Sequence, residues 1–290
     1  MKNILRVFPA RTSYTPDDNM AFIGMPPMPI LIPEHDEVHI SCTFTWDMVL
    51  CEELAYQWEG ATNKPVRLGG PAYGSPAEDF TPGMYTKRNV VFTTRGCNNN
   101  CPWCCVPKIE GRLRELSEIQ PGNIIQDNNF LQASQLHKIR VFEMLKKQRG
   151  TCFKGGLQAD LVDHHFIDGI RDLSISELLL ACDTDARLPE FKRACRMLAS
   201  AGFSREKIKC YVLIRPDMKK DQELEMERAE QRLAAVYEAG AMPFAQLYRD
   251  FSEEKTVYPS AWNAFARMWQ RPAATRAHME KGTNFRDFNT

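Results

Sequence analysis

The chain has 290 residues, of which 43% are hydrophobic and 26% charged, and this is the ordinary composition of a soluble globular protein. Its 37 basic and 37 acidic residues cancel, so no basic excess indicates a dedicated nucleic-acid binder. Neither the apolar core of a signal peptide nor a run of ~20 apolar residues occurs, so we predict a cytoplasmic protein with no membrane span and reduced thiols.

The first 70 residues predict a small βαβ-like region. Residues 9–36 are rich in proline and predict an extended, irregular segment. Val38–Phe44 predicts a strand and "KPVRLGG" another, with a helix between them that has Thr45 as N-cap and Gly60 at its end. The predicted buried face of that helix contains Trp46, Val49, Leu50, Leu54 and Trp58. Residues 71–87 predict a linker.

From residue 88 to residue 257 the chain alternates about six times between strand and helix. The predicted strands are "NVVFTT", "NIIQ", "TCFKGGL", "ELLLACD", "KIKCYVLI" and "MPFAQLY". Helical periodicity between them places Ile139, Phe142 and Leu145 on one buried face. This alternation predicts an α/β fold with a parallel sheet covered by helices. Residues 258–290 predict a last helix and a basic, aromatic tail, which either caps a substrate site or, as we favour, only packs.

Four of the ten cysteines lie in "CNNNCPWCC", directly after the first strand of the main region: Cys97, Cys101, Cys104 and Cys105. Loops at the carboxyl ends of parallel strands form the active sites of such folds. A structural zinc usually has two separated ligand pairs, and the sequence has no second pair. A redox dithiol would leave one of the first three cysteines unexplained. Three thiolates on one loop can bind three irons of a [4Fe-4S] cube and leave the fourth iron open.

The segment "GCNNNCPWC" after a strand resembles the signature of the radical S-adenosylmethionine (radical SAM) superfamily, over roughly residues 88–247. The resemblance implies a partial (β/α)6 barrel and a [4Fe-4S] cluster held by Cys97, Cys101 and Cys104. The reduced cluster would cleave S-adenosylmethionine to a 5′-deoxyadenosyl radical, which abstracts hydrogen from an unidentified substrate. It also implies an electron donor such as flavodoxin or ferredoxin. Cys105 is extra to the pattern and is predicted to be a packed thiol.

Two alternatives remain open beside this hypothesis. One is a non-catalytic binding protein stabilised by zinc or by an iron–sulfur cluster. The other is a protein of the same fold that binds the cluster but has lost turnover. Both would retain the cysteine loop, so only chemistry distinguishes them from an enzyme.

The resemblance also implies contacts with S-adenosylmethionine. "QDNNF" ends the second predicted strand, where the family often has a segment that binds the ligand's ammonium group, so Asp127, Asn128 and Asn129 are candidates. The same three residues are equally good candidates for a helix N-cap. Trp103 is expected to contact adenine through its backbone.

Three further strand ends are expected near the cofactor. Asp183, with Cys182 and Thr184, would lie near the ribose unless it caps a helix. Val212 or Ile214 would lie against adenine, although core packing is the more common role of such residues. Lower-ranked candidates for cofactor or substrate contact are Gln158 and Asp160.

The N-terminal region resembles the last part of a cobalamin-binding Rossmann domain, which precedes the barrel in one radical SAM branch. It lacks the D-x-H-x-x-G motif of that family, and His35 in "PEHDEVH" has neither the glycine nor the spacing. We therefore predict a degenerate, truncated remnant with a structural role, and cobalamin binding is not expected.

Overall fold

Two parallel β-sheets organise the chain, which is an α/β protein. The structure is a computed structural model that describes residues 2–74, 83–250 and 256–281. Among these residues, no helix combines the length and the apolar character that crossing a membrane would require. Part of the predicted linker, residues 75–82, and the end of the predicted tail, residues 282–290, lie outside the described residues.

The small sheet is formed by the N-terminal region and has the strand order β2-β1-β3-β4, with every pair parallel. Its strands are β1 (Ile4–Phe8), β2 (Ala21–Ile23), β3 (Glu37–Ser41) and β4 (Val66–Gly69). Helix α1 (Met48–Thr62) connects β3 to β4 and completes the predicted βαβ unit. The strands β1 and β2 were not predicted, and β2 lies within the segment that was predicted to be irregular.

The boundaries and the buried face of α1 differ from the prediction. The helix begins after Asp47 rather than Thr45, and it continues past Gly60 to end at Asn63, which has a left-handed conformation with φ 52°. Val49 is 79% exposed, whereas Leu54 and Trp58 are buried as predicted. In the first turn Leu50 is exposed as well, whereas Cys51 is buried against the sheet.

The large sheet has the strand order β12-β11-β10-β9-β8-β5, again with every pair parallel. Its strands are β5 (Val90–Val91), β8 (Ile124–Ile125), β9 (Thr151–Gln158), β10 (Ile175–Ala181), β11 (Ile208–Ile214) and β12 (Met242–Leu247). All six predicted strands are therefore present in the predicted parallel arrangement. The first is shorter than predicted, because "NVVFTT" divides into β5 and β6 (Thr94–Arg95), and β6 pairs antiparallel with β7 (Arg114–Glu115).

Helices follow the strands of the large sheet and pack on it, except that the first of them, a single turn, lies within the cysteine loop. They are α2 (Val106–Ile109), α3 (Gln135–Leu145), α4 (His164–Arg171), α5 (Leu188–Ser200), α6 (Gln222–Glu238), α7 (Ser260–Trp269) and α8 (Pro272–Lys281). On α3 the prediction for Ile139 was wrong, since its side chain is 47% exposed, but Phe142 and Leu145 are buried. The described part of the predicted tail contains α8, in which Thr275 and His278 are buried.

The N-terminal region also contacts the large sheet. The Lys87 backbone N–H donates to the Tyr14 carbonyl at 3.0 Å. Burial, together with smaller effects of Tyr211 and Glu177 of the large sheet, raises the pKa of Tyr14 to about 12. The N-terminal region therefore packs against the large sheet, and its residues extend into the interior beside that sheet.

Candidate functional site

The carboxyl ends of the large sheet surround a cavity of about 1330 Å³. The cysteine loop between β6 and β7 forms one wall, and the ends of β9 to β12 form the floor. Helix α7 and two aromatic residues of the small-sheet region, Phe44 and Trp46, lie at the remaining edge. The cavity is thus at the edge where parallel α/β sheets bind their ligands.

The base of the cysteine loop is closed by the β6–β7 pair and by contacts just beyond it. The Cys97 backbone N–H donates to the Gly111 carbonyl at 3.1 Å, and the Arg95 guanidinium pairs with Glu110 at 2.6 Å. Gly96 has φ 79°, and a Cβ there would lie 2.2 Å from the Arg112 carbonyl oxygen. Only glycine allows the two arms of the loop to approach this closely.

Cys97, Cys101 and Cys104 all line the cavity, and all three are partly buried free thiols. Burial raises the pKa of Cys101, and the neighbouring thiols Cys104 and Cys97 together with Asp183 raise it further. Burial likewise raises the pKa of Cys104, although the Val106 N–H opposes this by donating to its sulfur. A positively charged group bound beside these thiols would favour their thiolate forms.

Donors are also directed at the sulfur of Cys97. The Asn99 backbone N–H lies 3.5 Å from Sγ, and the Asn129 side-chain amide lies 3.8 Å from it. Among the described residues, no three His, Cys, Asp or Glu side chains are grouped closely enough to hold a single metal ion. In a four-iron cube each cysteine binds a different iron, so its ligands need not converge on one point.

Cys105 lines the same cavity as its three neighbours, although it was predicted to be a packed thiol. It is partly buried, and burial raises its pKa to about 11, with Cys104 and Glu110 adding to the effect. Its position at the start of α2 gives it access to the cavity.

An amide network connects the cysteine loop to β9. The Gln158 side-chain oxygen accepts hydrogen bonds from Asn99 and Asn129, both at 2.8 Å, and from Gln132 at 3.0 Å. The Oδ1 atom of Asn129 is buried without a hydrogen-bond partner among the described residues. Asn128 accepts from the Gly96 backbone N–H at 3.0 Å. The candidates Asn128, Asn129 and Gln158 therefore meet at the cavity.

Asp127 does not reach the cavity, in contrast to the prediction that it binds the ligand's ammonium group. Its side chain is 1% exposed and accepts from the Thr93 N–H at 2.6 Å, the Thr93 hydroxyl at 2.5 Å and the Thr94 N–H at 3.0 Å. Burial raises the pKa of Asp127 to about 6, although these hydrogen bonds act to lower it. The alternative of a helix N-cap does not hold either, because Ser134 caps α3. Asp127 instead holds the segment that leads into the cysteine loop.

The Asp183 and Trp103 side chains meet at the cavity wall. Burial raises the pKa of Asp183, while a hydrogen bond with the Trp103 side chain and one with the Leu213 backbone lower it. The Arg215 guanidinium lies over the rings of Trp103 and Tyr248, 5.2 Å from each ring centre. Thr184 also lines the cavity, whereas Cys182 is buried in the core.

Val212 lies on the wrong face of β11 for the predicted adenine contact. It is 0% exposed and packs in the core between the sheet and the helices, as does Ile214. Side chains alternate along a strand, so the residues of β11 that face the cavity are Tyr211 and Leu213.

A charged group lies deeper within the large sheet. The Glu177 carboxylate of β10 accepts from Lys154 of β9 at 2.5 Å and from Lys209 of β11 at 2.8 Å. Burial tends to raise the pKa of Glu177, but the two lysines outweigh this and lower it. Lys154 also lines the cavity, where it adds a positively charged group to the floor.

The cavity lining also includes residues that the sequence did not single out, among them Phe44, Trp46, Arg249 and Arg267. Phe44, Trp46 and Arg249 follow closely after the ends of β3 and β12, which is the signal that could have found them. Asp160 was a candidate, and it lines the cavity in an ion pair with Arg187 at 3.1 Å.

A scan against protein-family models finds no match for this chain, and a search of curated proteins finds none either. The chemistry of the cavity therefore has to be inferred from its own residues.

Proposed function

We propose that the protein is a radical SAM enzyme with one [4Fe-4S] cluster. The single observation that carries this proposal is the presence of Cys97, Cys101 and Cys104 on one loop, lining one cavity at the carboxyl edge of a parallel sheet. The proposal includes the finer description of the large sheet as a partial (β/α)6 barrel, which its six parallel strands in sequential order support. An external one-electron donor such as flavodoxin or ferredoxin would complete the system.

The donor set at the loop suits a three-cysteine cluster site. Each thiolate would bind one iron, and the fourth iron would remain open toward the cavity. The N–H groups of Asn99 and Asn129 that point at Cys97 would stabilise a thiolate ligand there. When bound, the cluster and S-adenosylmethionine supply reductive cleavage and hydrogen-atom abstraction, and the protein supplies position and exclusion of water.

The residues around the loop suit the polar groups of S-adenosylmethionine. The unpartnered Oδ1 of Asn129 is an acceptor for the ligand's ammonium group, and it replaces Asp127 in that role. Asp183 would accept hydrogen bonds from the ribose hydroxyls, with its carboxylate oriented by the Trp103 side chain. Tyr211 and Leu213 replace Val212 as the candidates for contact with adenine.

A zinc-stabilised binding protein is the competing proposal. Zinc needs its ligands grouped about one ion, an arrangement absent from the described residues. The cavity also exceeds what a structural metal needs, since about 1330 Å³ is room for a cofactor and a substrate together.

The adjacent cysteines Cys104 and Cys105 provide a matched test. The full chain, reconstituted anaerobically with iron and sulfide, is given S-adenosylmethionine and a strong reductant, and 5′-deoxyadenosine is measured by mass spectrometry. We expect Cys104→Ala to abolish both the cluster absorbance and the product, and Cys105→Ala to retain both. Full iron loading in Cys104→Ala would contradict the ligand assignment. A colourless wild-type protein that binds zinc and no iron would contradict the proposed function.

A further inference from the structure

The charges that line the cavity are partly separated by sign. Among the described lining residues, both signs occur beside β9 and β10, where Lys154 and Arg187 accompany the acidic groups, whereas the charged residues beyond β12 are basic. The acidic residues Asp160, Asp183 and Glu190 follow β9 and β10, on the side near the cysteine loop. Arg249 and Arg267 lie on the other side, after β12 and on α7. The chain as a whole has zero formal net charge, so this separation is a local feature and not a consequence of composition.

Acidic partners do not neutralise the arginines on the basic side within the described residues. Within the described part of the chain, neither Arg249 nor Arg267 forms an ion pair, and the Arg267 Nε only donates to the Asn263 carbonyl at 3.2 Å. The third cavity arginine, Arg187, is already paired with Asp160. Free guanidinium groups at a cavity wall are suited to carboxylate and phosphate oxygens, which they bind with paired N–H donors.

Arg249 is held in place by the small-sheet region. Its guanidinium carbon lies 5.2 Å from the ring centre of Trp46, and Trp46 stacks on Phe44 with ring centres 4.6 Å apart and planes at 7°. Stacking on an aromatic face fixes the planar group while leaving its N–H donors available at the edge. Phe44 also lines the cavity, so an apolar surface lies beside the cation.

We propose that this side of the cavity binds the substrate, and that the substrate is an organic anion. Its carboxylate or phosphate group is bound by Arg249 with Arg267, and its apolar or ring portion lies against Phe44. Trp46 is a positioning residue that acts through Arg249. This proposal rests on the proposed function, since only an enzyme makes the bound anion a substrate. The acidic side near the cysteines is then available for the positively charged cofactor.

The test uses the full reconstituted chain and three probes of the same shape: 1-naphthyl phosphate, 1-naphthoate and neutral 1-naphthol. Binding is measured by isothermal titration calorimetry at neutral pH. We expect both anions, or the one whose group matches the substrate, to bind more tightly than naphthol. The better of the two anions distinguishes a phosphate ester from a carboxylic acid.

The variants assign the effect to the cavity. We expect Arg249→Gln to weaken anion binding by about tenfold or more, Arg249→Lys to weaken it less, and naphthol binding to be unchanged. We expect Trp46→Leu to have an intermediate effect that disappears in the Arg249→Gln background. Arg171→Gln, which removes an exposed arginine of α4, is the matched control and leaves all affinities unchanged.

Two results would overturn the inference. One is that neither anion binds more tightly than naphthol, and the other is anion binding that survives both Arg249→Gln and Arg267→Gln. Iron content and 5′-deoxyadenosine are measured on the same preparations. Anion binding through Arg249 in a protein that holds no cluster would sink the proposed function and leave the anion site standing. A working cluster with no anion preference would do the reverse.

Discussion

The small sheet and the large sheet are both parallel, yet the carboxyl ends of their strands are packed in opposite ways. In the small sheet the segments after β3 and β4 meet backbone to backbone, with Cys42 N–H donating to the Gly69 carbonyl at 2.8 Å. A Cβ added to Gly70 would lie 2.4 Å from the Cys42 carbonyl oxygen, so this approach fills the crevice between the two strands. In the large sheet the corresponding segments diverge around a cavity of about 1330 Å³.

The comparison shows that a parallel sheet can bind ligands at the carboxyl ends of its strands, but that local contacts determine whether a cavity forms there. In the large sheet Asp127 ties the start of the cysteine loop to the end of β8 and keeps its own carboxylate out of the cavity. In the small sheet Gly70 removes the side chain that would have kept two strand ends apart. One residue in each sheet therefore controls the shape of its edge.

The largest expected effect is that of Asp127→Ala on the open edge. The substitution leaves the buried N–H groups of Thr93 and Thr94 and the Thr93 hydroxyl without their acceptor. Because each orphaned donor costs about 1–3 kcal/mol, we expect the free energy of unfolding to fall by roughly 3 kcal/mol or more. Urea unfolding measures this. Wild-type stability with weakened S-adenosylmethionine binding would instead return Asp127 to the role of a ligand contact.

The variant Asp127→Asn tests the burial of Asp127 through the pH dependence of stability. Burial raises the pKa of Asp127 from 3.8 to about 6 in the folded protein, so the folded state binds the proton more tightly than the unfolded chain. The stability that this group contributes is therefore full below about pH 4 and is lost as pH rises through about 6, by roughly 3 kcal/mol. In Asp127→Asn, Oδ1 can still accept from both N–H groups and the amide can donate to the Thr93 hydroxyl.

We therefore expect the asparagine variant to remain folded at neutral pH and to lose this pH dependence. The free energy of unfolding of both proteins between pH 4.5 and pH 7.5, about the range in which the group titrates, provides the measurement. A difference between the two proteins that stays constant over this range would contradict the buried, proton-binding state of Asp127.

Gly70→Ala tests the closed edge and is expected to have the next largest effect. Gly70 has φ 116°, and the added methyl group would overlap the Cys42 carbonyl. Strain in the backbone and forced separation of the two segments together cost about 3 kcal/mol. Thermal unfolding would show a lower Tm, while the isolated surface change Val49→Ala should leave Tm unchanged, since Val49 is 79% exposed. A Gly70→Ala protein as stable as wild type would mean that the small-sheet edge is not closed.

The smallest effect distinguishes the two faces of β11. Val212→Ala removes buried methyl groups from the core and should cost about 2 kcal/mol of stability without changing affinity for S-adenosylmethionine. Leu213→Ala should do the opposite, because Leu213 lines the cavity. Chemical denaturation and calorimetric titration of the cofactor provide the two readouts. If Val212→Ala weakens cofactor binding while Leu213→Ala does not, the adenine contact lies where the sequence first placed it.

The course of the large sheet was predictable because its strands are apolar runs separated by helices with clear periodicity, as in α5, where Phe191, Ala194 and Leu198 are all buried. The choice between Val212 and Leu213 was not, since both faces of a central parallel strand are covered and alternation carries no signal. Asp127 was misplaced for a related reason: its partners Thr93 and Thr94 are distant in sequence, and polar residues at a strand end look alike whether they face a ligand or a backbone.

The small sheet was harder to predict. Proline around β2 concealed a strand, and the short β1, "ILRVF", was too close to irregular sequence to stand out. The positions of Trp46 and Arg249 depend on how the two sheets pack together, which local pattern does not encode. The cysteine loop, by contrast, stood out in the sequence because it has four thiols within nine residues.

The pairing of β6 with β7 fixes the span of the cysteine loop through hydrogen bonds between the two strands. Joining the ends of a flexible loop of this size costs roughly 2.5 kcal/mol in chain entropy. Here that cost is met by hydrogen bonds at Arg95 and Cys97, and so by the folded polypeptide rather than by metal–sulfur bonds. Order in the cysteine loop thus comes from contacts within the polypeptide, and the binding energy of a group held by its thiols would remain available for affinity.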